Sequence, residues 1–272
     1  MTAPSFLPEL LVEPGHRAHL DRRNAADRLG LGSKGDGREH SEPLLARLDE
    51  LHNRLWAEAE RSVLLVLQGM DASGKDGTIR RVLTGLNPQG CEVANFKEPT
   101  TTDLAHDYLW RVHQQCPPRG ILGVMNRSHY EDVVTARLIG LVDDECCDRR
   151  HRHIREFERM LTDEGTTVVK VFLHISKDEQ RARLQERIDD PAKNWKFQQS
   201  DLVARAKWDE YQGRYDDVIS DTSTDWAPWY VVPADHKWVR DVAVAAVLVE
   251  VLERLDPRIP APEGDLRGIV VE

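Results

Sequence analysis

The segment Gly69-Met-Asp-Ala-Ser-Gly74-Lys75 satisfies the spacing G-x-x-x-x-G-K, and the chemistry that spacing serves is the holding of phosphate. Gly69 and Gly74 permit backbone conformations that aim consecutive N–H groups at one point. The helix that follows adds its positive end, and Lys75 adds a mobile ammonium. Gly69, Ala72, Ser73, Gly74 and Lys75, with Asp76 and Gly77 beyond them, form the candidate phosphate-binding set. Asp76 stands where a hydroxyl ligand of Mg²⁺ usually follows the lysine. Asp71 lies inside the loop, where its carboxylate repels phosphate unless a metal or a proton intervenes. It is therefore a candidate to hold Mg²⁺ or to position an attacking phosphate oxygen, the plain alternative being a carboxylate resting on the helix dipole. A glycine-containing turn with no ligand would not need the lysine, the preceding strand and the following helix together.

A second constellation is Asn126-Arg127-Ser128-His129-Tyr130-Glu131-Asp132, after an apolar run of strand length. Ligands bind at the carboxyl ends of parallel strands, and Arg127 placed there can grip phosphate through two N–H groups. Asn126 occupies the position where related sites carry a metal-binding aspartate, so Glu131 or Asp132 is the candidate to supply charge, with Asp132 as the second metal ligand beside Asp71. In residues 177–196, Arg183 and Arg187 fall four apart on one helical face, and Pro191 ends the helix before Lys193, Trp195 and Lys196. Guanidinium groups beside a hinge-like segment suit a lid closing over transferring phosphates. A solvated face paired with Glu179 and Glu186 is the alternative.

The elements that position these groups follow a strand–helix alternation. Apolar runs at Val63 to Leu67, Glu92 to Phe96, Ile121 to Met125, Thr167 to Ile175 and Trp229 to Val232 read as buried strands. Helix-period segments separate them at Lys75 to Leu86, Thr102 to Gln115, Asp148 to Glu164, Lys177 to Asp189 and Ser200 to Ser220, and a last helix covers His236 to Leu255. The alternation predicts a three-layer α/β/α domain around a parallel sheet of about five strands. Residues 42–256 form that domain, with the lid around 177–200; residues 1–41 are an extension packed on it or trailing from it, and 257–272 a Pro-rich tail. Gly30 to Gly37 reads as a flexible linker, and helical periodicity begins near Glu42-Pro43.

The chain has 272 residues, 40% hydrophobic and 31% charged, with a formal net charge of -10. A polyanion must therefore be held by a local basic cleft against the global field, which argues against general nucleic-acid binding. The longest apolar run, Val239 to Leu252, is broken by Arg240, Asp241 and Glu250, which excludes a membrane span, and a cytoplasmic location is the expectation. Cys91, Cys116, Cys146 and Cys147 show neither disulfide nor metal spacing. The run Arg149 to His153 reads as a solvated face, and its histidines suit no metal pair.

Taken jointly, GMDASGKDG (69–77), NFKEPT (95–100), HDYLWRVH (106–113), MNRSHYED (125–132), FLHISKDEQ (172–180), DDPAKNWK (189–196) and APWYVVPADHKW (227–238) make the chain resemble the type-2 polyphosphate kinases, from about Pro43 to Leu255. The resemblance implies a P-loop fold like that of thymidylate kinases, with a helical lid. It implies Mg²⁺-dependent (Mn²⁺ as the alternative) phosphoryl transfer between inorganic polyphosphate and AMP, ADP or ATP, with guanine nucleotides as further acceptors. By motif match Asp71 and Lys75 correspond to the family's essential loop residues, Arg127 to its phosphate-gripping arginine, and Arg183 and Arg187 to its lid. Lys97 lies in the motif associated with the polyphosphate path. Many members carry aspartate at the position of Asn126. The NRSHYEDV form resembles the subgroup that accepts both nucleoside mono- and diphosphates. A homo-oligomer is the expected assembly, with no nucleic-acid or membrane partner. An ATP-dependent nucleoside monophosphate kinase and a non-catalytic nucleotide-binding module are the rival readings.

Overall fold

Alternate residues of a strand face opposite sides, so a fully apolar strand can belong only to a sheet covered on both faces. Strand β2 (Ser62–Gln68) is such a strand, buried throughout its length. The computed structural model describes residues 4–267 and 269–271 and places β2 near the centre of a six-stranded sheet. The other strands are β1 (Leu11–Val12), β3 (Cys91–Asn95), β4 (Leu122–Asn126), β5 (Thr166–His174) and β6 (Trp229–Pro233). The order is β1-β6-β5-β2-β4-β3. The five strands from β2 to β6 pair in parallel and β1 pairs antiparallel with β6.

Val63, Leu65 and Leu67 enter one apolar core with helices α1 (Lys34–Glu58), α2 (Lys75–Leu83) and α7 (Lys237–Leu255). Leu64 and Val66 enter the other, with α3 (Asp144–Asp163) and α6 (Trp208–Thr222). The three layers expected from the sequence are present. Helices α4 (Lys177–Asp189) and α5 (Gln199–Ala206) complete the longer helical segments used below.

Several expectations need correction. Gly30 to Gly37 is not a linker through its length, because α1 starts at Lys34 and carries Pro43 in its interior. The Ser33 hydroxyl accepts from the Asp36 N–H and the Asp36 carboxylate accepts from the Ser33 N–H, a reciprocal cap that fixes the start. A side chain at Gly37 would collide with the Trp238 ring, so this glycine serves close packing rather than flexibility. The single helix expected over 102–115 is two short ones, Thr101–Leu104 and Trp110–His113. Asp103 caps back onto Thr100, and Asp107 accepts from the Leu109 N–H between the two turns. The helix expected over 200–220 breaks at Lys207 into α5 and α6.

Residues 4–41 pack on the domain. Leu7, Leu10 and Leu31 are buried in the first core, while β1 extends the sheet. Met1 to Ala3 of the expected extension, and Gly268 and Glu272 of the expected tail, lie outside the described residues. Among the described residues no helix is long and apolar enough to cross a membrane.

Leu10 is 3% exposed. Leu10→Ala should lower unfolding free energy by about 2–4 kcal/mol in urea denaturation. A change within about 0.5 kcal/mol is what an arm lying loosely on the surface gives.

Candidate functional site

Parallel register decides which chain segments meet at the carboxyl edge of the sheet. Leu67 of β2 lies opposite Asn126 of β4, and Asn95 of β3 lies opposite Asn126 on the other side. The loop leaving β2 and the loop leaving β4 therefore start side by side, on opposite sides of a central parallel strand pair. That is the position where such sheets bind ligands.

The first loop has the geometry its spacing requires. Gly69, Ala72 and Gly74 have φ of 152°, 63° and 106°. A side chain at Gly74 would collide with the Arg240 guanidinium, so the position needs glycine for space as well as for its dihedral. The Lys75 ammonium donates to the carbonyls of Gly69 at 2.6 Å and Met70 at 3.3 Å, wrapping the loop around itself. Burial, reinforced by the Arg127 charge, lowers the Lys75 pKa to about 8, against the pull of Asp71, Glu131 and Asp76.

The second loop supplies Arg127, which has φ 62° and whose N–H donates to Leu67 O of the neighbouring strand. Its guanidinium donates to Asp71 Oδ1 at 2.7 Å and lies 3.9 Å from Glu131 Oε2. Burial opposes its charge, but Glu131 and Asp71 outweigh burial and raise its pKa. Asn126 donates through Nδ2 to Asp76 Oδ1 and Asn95 Oδ1, both at 2.8 Å. The amide thus ties the three strand-end segments together and holds the carboxylate that replaces the usual hydroxyl after Lys75. The Lys196 ammonium comes within 3.9 Å of the other Asp76 oxygen.

The structure brings Gly69, Asp71, Ala72, Ser73, Gly74, Lys75, Asp76, Gly77, Asn126 and Arg127 together, as expected. Two candidates are placed differently. Asp132 pairs with Arg111 at 3.3 Å, and burial raises its pKa against that cation, so it is corrected to a residue that anchors Arg111 rather than a metal ligand. Arg183 is 7% exposed and lies behind the loop; it is corrected from a lid arginine facing the phosphates to a residue supporting the loop. Arg187, one turn on, donates to Lys196 O and Asp201 Oδ2, both at 3.3 Å. Lys97 is exposed beyond β3, and its carbonyl accepts from Arg111.

Other contributors stayed hidden in apolar sequence. Lys170, in the middle of β5, donates to Glu158 Oε2 at 2.6 Å, and Tyr130 donates to Glu158 Oε1 at 2.8 Å. His129 lies 3.3 Å from the same Glu158 oxygen. All four side chains are buried directly under the turn that presents Arg127. Burial opposes the Glu158 charge, yet Lys170 and His129 hold its pKa below the usual carboxylate value. The one available signal was a lysine interrupting a strand-length apolar run. Arg240, beneath Gly74, likewise appeared in sequence only as an interruption of an apolar helix.

A loop of this geometry at a parallel strand end, facing an arginine from the adjacent strand end, defines a P-loop phosphoryl transferase. The model of the polyphosphate kinase 2 family matches residues 32–260, and the chain belongs to that family. It is 53% identical to the AMP/ADP-polyphosphate phosphotransferase of Meiothermus ruber over 262 residues, 96% of this chain and 98% of that protein. It is 44% identical to the ADP-polyphosphate phosphotransferase of Rhodopseudomonas palustris over 241 residues, 83% of each. The crystal structure of polyphosphate kinase 2 from Arthrobacter aurescens superposes with a TM-score of 0.92 at 40% identity, covering 98% of this chain and 95% of that one.

The lowered Lys75 pKa carries a pH dependence of defined sign. The ammonium that attracts phosphate is present below about pH 8 and lost above it. The advantage of the wild type over Lys75→Met in binding tripolyphosphate should therefore shrink as pH rises from about 7 to about 9. Calorimetric titration of both proteins removes the ligand's own titration from the comparison. A constant advantage across that range contradicts the lowered pKa.

Proposed function

We propose that this chain transfers phosphoryl groups between inorganic polyphosphate and adenine nucleotides, taking AMP to ADP and ADP to ATP. The observation that carries this reading is the Lys75–Asp71–Arg127 constellation across two adjacent strand ends, in a chain of this family. The name of the Meiothermus ruber relative, which covers nearly the whole chain, supports both acceptors.

An oxygen of the nucleotide's terminal phosphate attacks the end phosphorus of polyphosphate. The new P–O bond forms as the bridging P–O bond breaks, and the shortened chain leaves with that oxygen. The demand on the protein is positioning and neutralisation of charge. Loop N–H groups and Lys75 hold phosphate from below. Arg127 reaches phosphate by leaving Asp71, which frees the carboxylate at the moment negative charge arrives. Arg187 follows from the lid side, released from Asp201. Magnesium, when bound, supplies further neutralisation of the phosphate oxygens. The available donors are hard oxygens, Asp71 and Asp76 with the Asn126 amide oxygen, and they fit an ion that takes one or two carboxylates and completes its shell with phosphates and water. Among the described residues no cluster of three or more acidic, histidine or cysteine side chains forms a self-sufficient metal cage, consistent with an ion that arrives with substrate.

Two acceptors differing by one phosphate cannot share a rigid hydrogen-bonding base pocket, since one of them would leave buried groups unpaired. Base recognition is therefore loose. Trp195 is 77% exposed on the lid, with its indole N–H turned to Ala192 O and the adjoining Lys196 near Asp76. Its ring is an open stacking surface that does not distinguish adenine from guanine by hydrogen bonds. Incubation of AMP with excess polyphosphate and Mg²⁺ should pass through ADP to ATP, and GMP or GDP should also be consumed, as followed by time-resolved chromatography. No ATP from ADP contradicts the polyphosphate donor, and AMP left untouched while ADP is consumed contradicts the dual acceptor.

A further inference from the structure

Successive N–H groups of a loop can converge on an anion only if the carbonyls between them point away, and those carbonyls need donors of their own. In this protein one helix supplies all of them for the middle of the loop. Gln180 Nε2 donates to Asp71 O at 3.0 Å, and Arg183 Nη1 donates to Ala72 O and Ser73 O, both at 3.0 Å. Three consecutive carbonyls are thereby fixed on the face opposite the phosphate side.

Neither side chain is free to drift. The Gln180 amide oxygen accepts from Arg205 Nη1 of α5 at 3.0 Å, which orients the amide so that its NH₂ faces the loop. Arg183 Nη2 donates to Ala234 O at 2.6 Å and Asp235 O at 2.8 Å, in the turn after β6, and Nε donates to Glu179 Oε1 at 2.8 Å. All five N–H groups of this guanidinium are engaged, four of the five bonds going to main-chain carbonyls. The bond to Ala72 O also holds a residue whose φ of 63° is unfavourable for a side chain bearing a Cβ.

We infer that Gln180 and Arg183 are positioning residues for phosphate binding: they turn the carbonyls of Asp71, Ala72 and Ser73 inward, so that the Ala72 and Gly74 N–H groups present a preformed anion cradle while the Ser73 N–H closes the turn onto Met70 O. Neither residue touches substrate. The first half of α4 is consequently part of the cradle and cannot swing with a lid, and closure is confined to the segment beyond Arg183. The inference rests on the loop being the phosphate site proposed above.

The test is calorimetric titration of tripolyphosphate into wild type, Gln180→Met and Arg183→Lys, without nucleotide, at a temperature where circular dichroism shows each protein folded. Both substitutions are uncharged or charge-conserving relative to the native residue, so electrostatics alone predicts little change. Loss of one or more loop-fixing bonds predicts dissociation constants raised by about tenfold or more. A purely structural role predicts lower melting temperatures with tripolyphosphate affinity within about twofold of wild type, and that result overturns the inference. If Arg183→Lys does not fold, Gln180→Met alone decides by the same criterion. If wild type itself binds no tripolyphosphate, the reading of the loop as a phosphate site fails, and this inference fails with it; a wild type that binds, together with variants that bind equally, removes only the inference.

Discussion

The contact on which the site depends is the 2.7 Å ion pair between Arg127 and Asp71. It joins the loop that ends β2 to the loop that ends β4, and it exists because parallel pairing sets Leu67 opposite Asn126. Each partner alone would be awkward: a carboxylate inside a phosphate loop, and an arginine with its backbone in the left-handed region. Together they store a cation and an anion at short range in the protein without ligand. Under the function proposed above, an arriving phosphate competes with Asp71 for Arg127, so binding the substrate and freeing the carboxylate become one event.

An acidic chain must concentrate its cations to hold a polyanion, and the structure does so at several depths. Lys75 lines the loop, Arg183 and Arg240 lie behind it, and Arg187 and Lys196 stand on the lid side. Below Arg127 the buried Lys170–Glu158 pair, joined by Tyr130 and His129, fixes the turn that carries the arginine. Pairs of this kind contribute little net stability but cost about 3–5 kcal/mol when one partner is lost, so they enforce one arrangement of the turn. The loop, its backing helix and the Arg127 turn are thus tied together by hydrogen bonds, while Arg187 bonds outward to Lys196 O and Asp201.

The three-layer order, the parallel sheet and the loop were legible because each rests on local pattern: fully apolar strands, glycine spacing and a lysine at a helix start. The limits of α4 were equally clear from the helical period over Lys177 to Asp189 and Pro191 beyond the end; in the structure the Ser176 hydroxyl caps the start. The start of α1 was hidden because Gly35 and Gly37 resemble a linker until Trp238, two hundred residues away, is seen to need the space at Gly37. Helical spacing placed Arg183 and Arg187 on one face but says nothing of depth along the axis, and one turn separates a buried loop contact from a half-buried pairing with Asp201. Asp132 was legible as acidic and near the site; its pairing with Arg111 depends on the short helix Trp110–His113, which the single helix expected over 102–115 did not separate.

The most direct measurement is a crystal structure of the protein with bound tripolyphosphate. The account predicts that the Arg127 guanidinium has left Asp71 and donates to a phosphate oxygen, with Lys75 lifted from the Gly69 carbonyl toward the same ligand. Tripolyphosphate bound on the loop while the Arg127–Asp71 pair stays closed would contradict it.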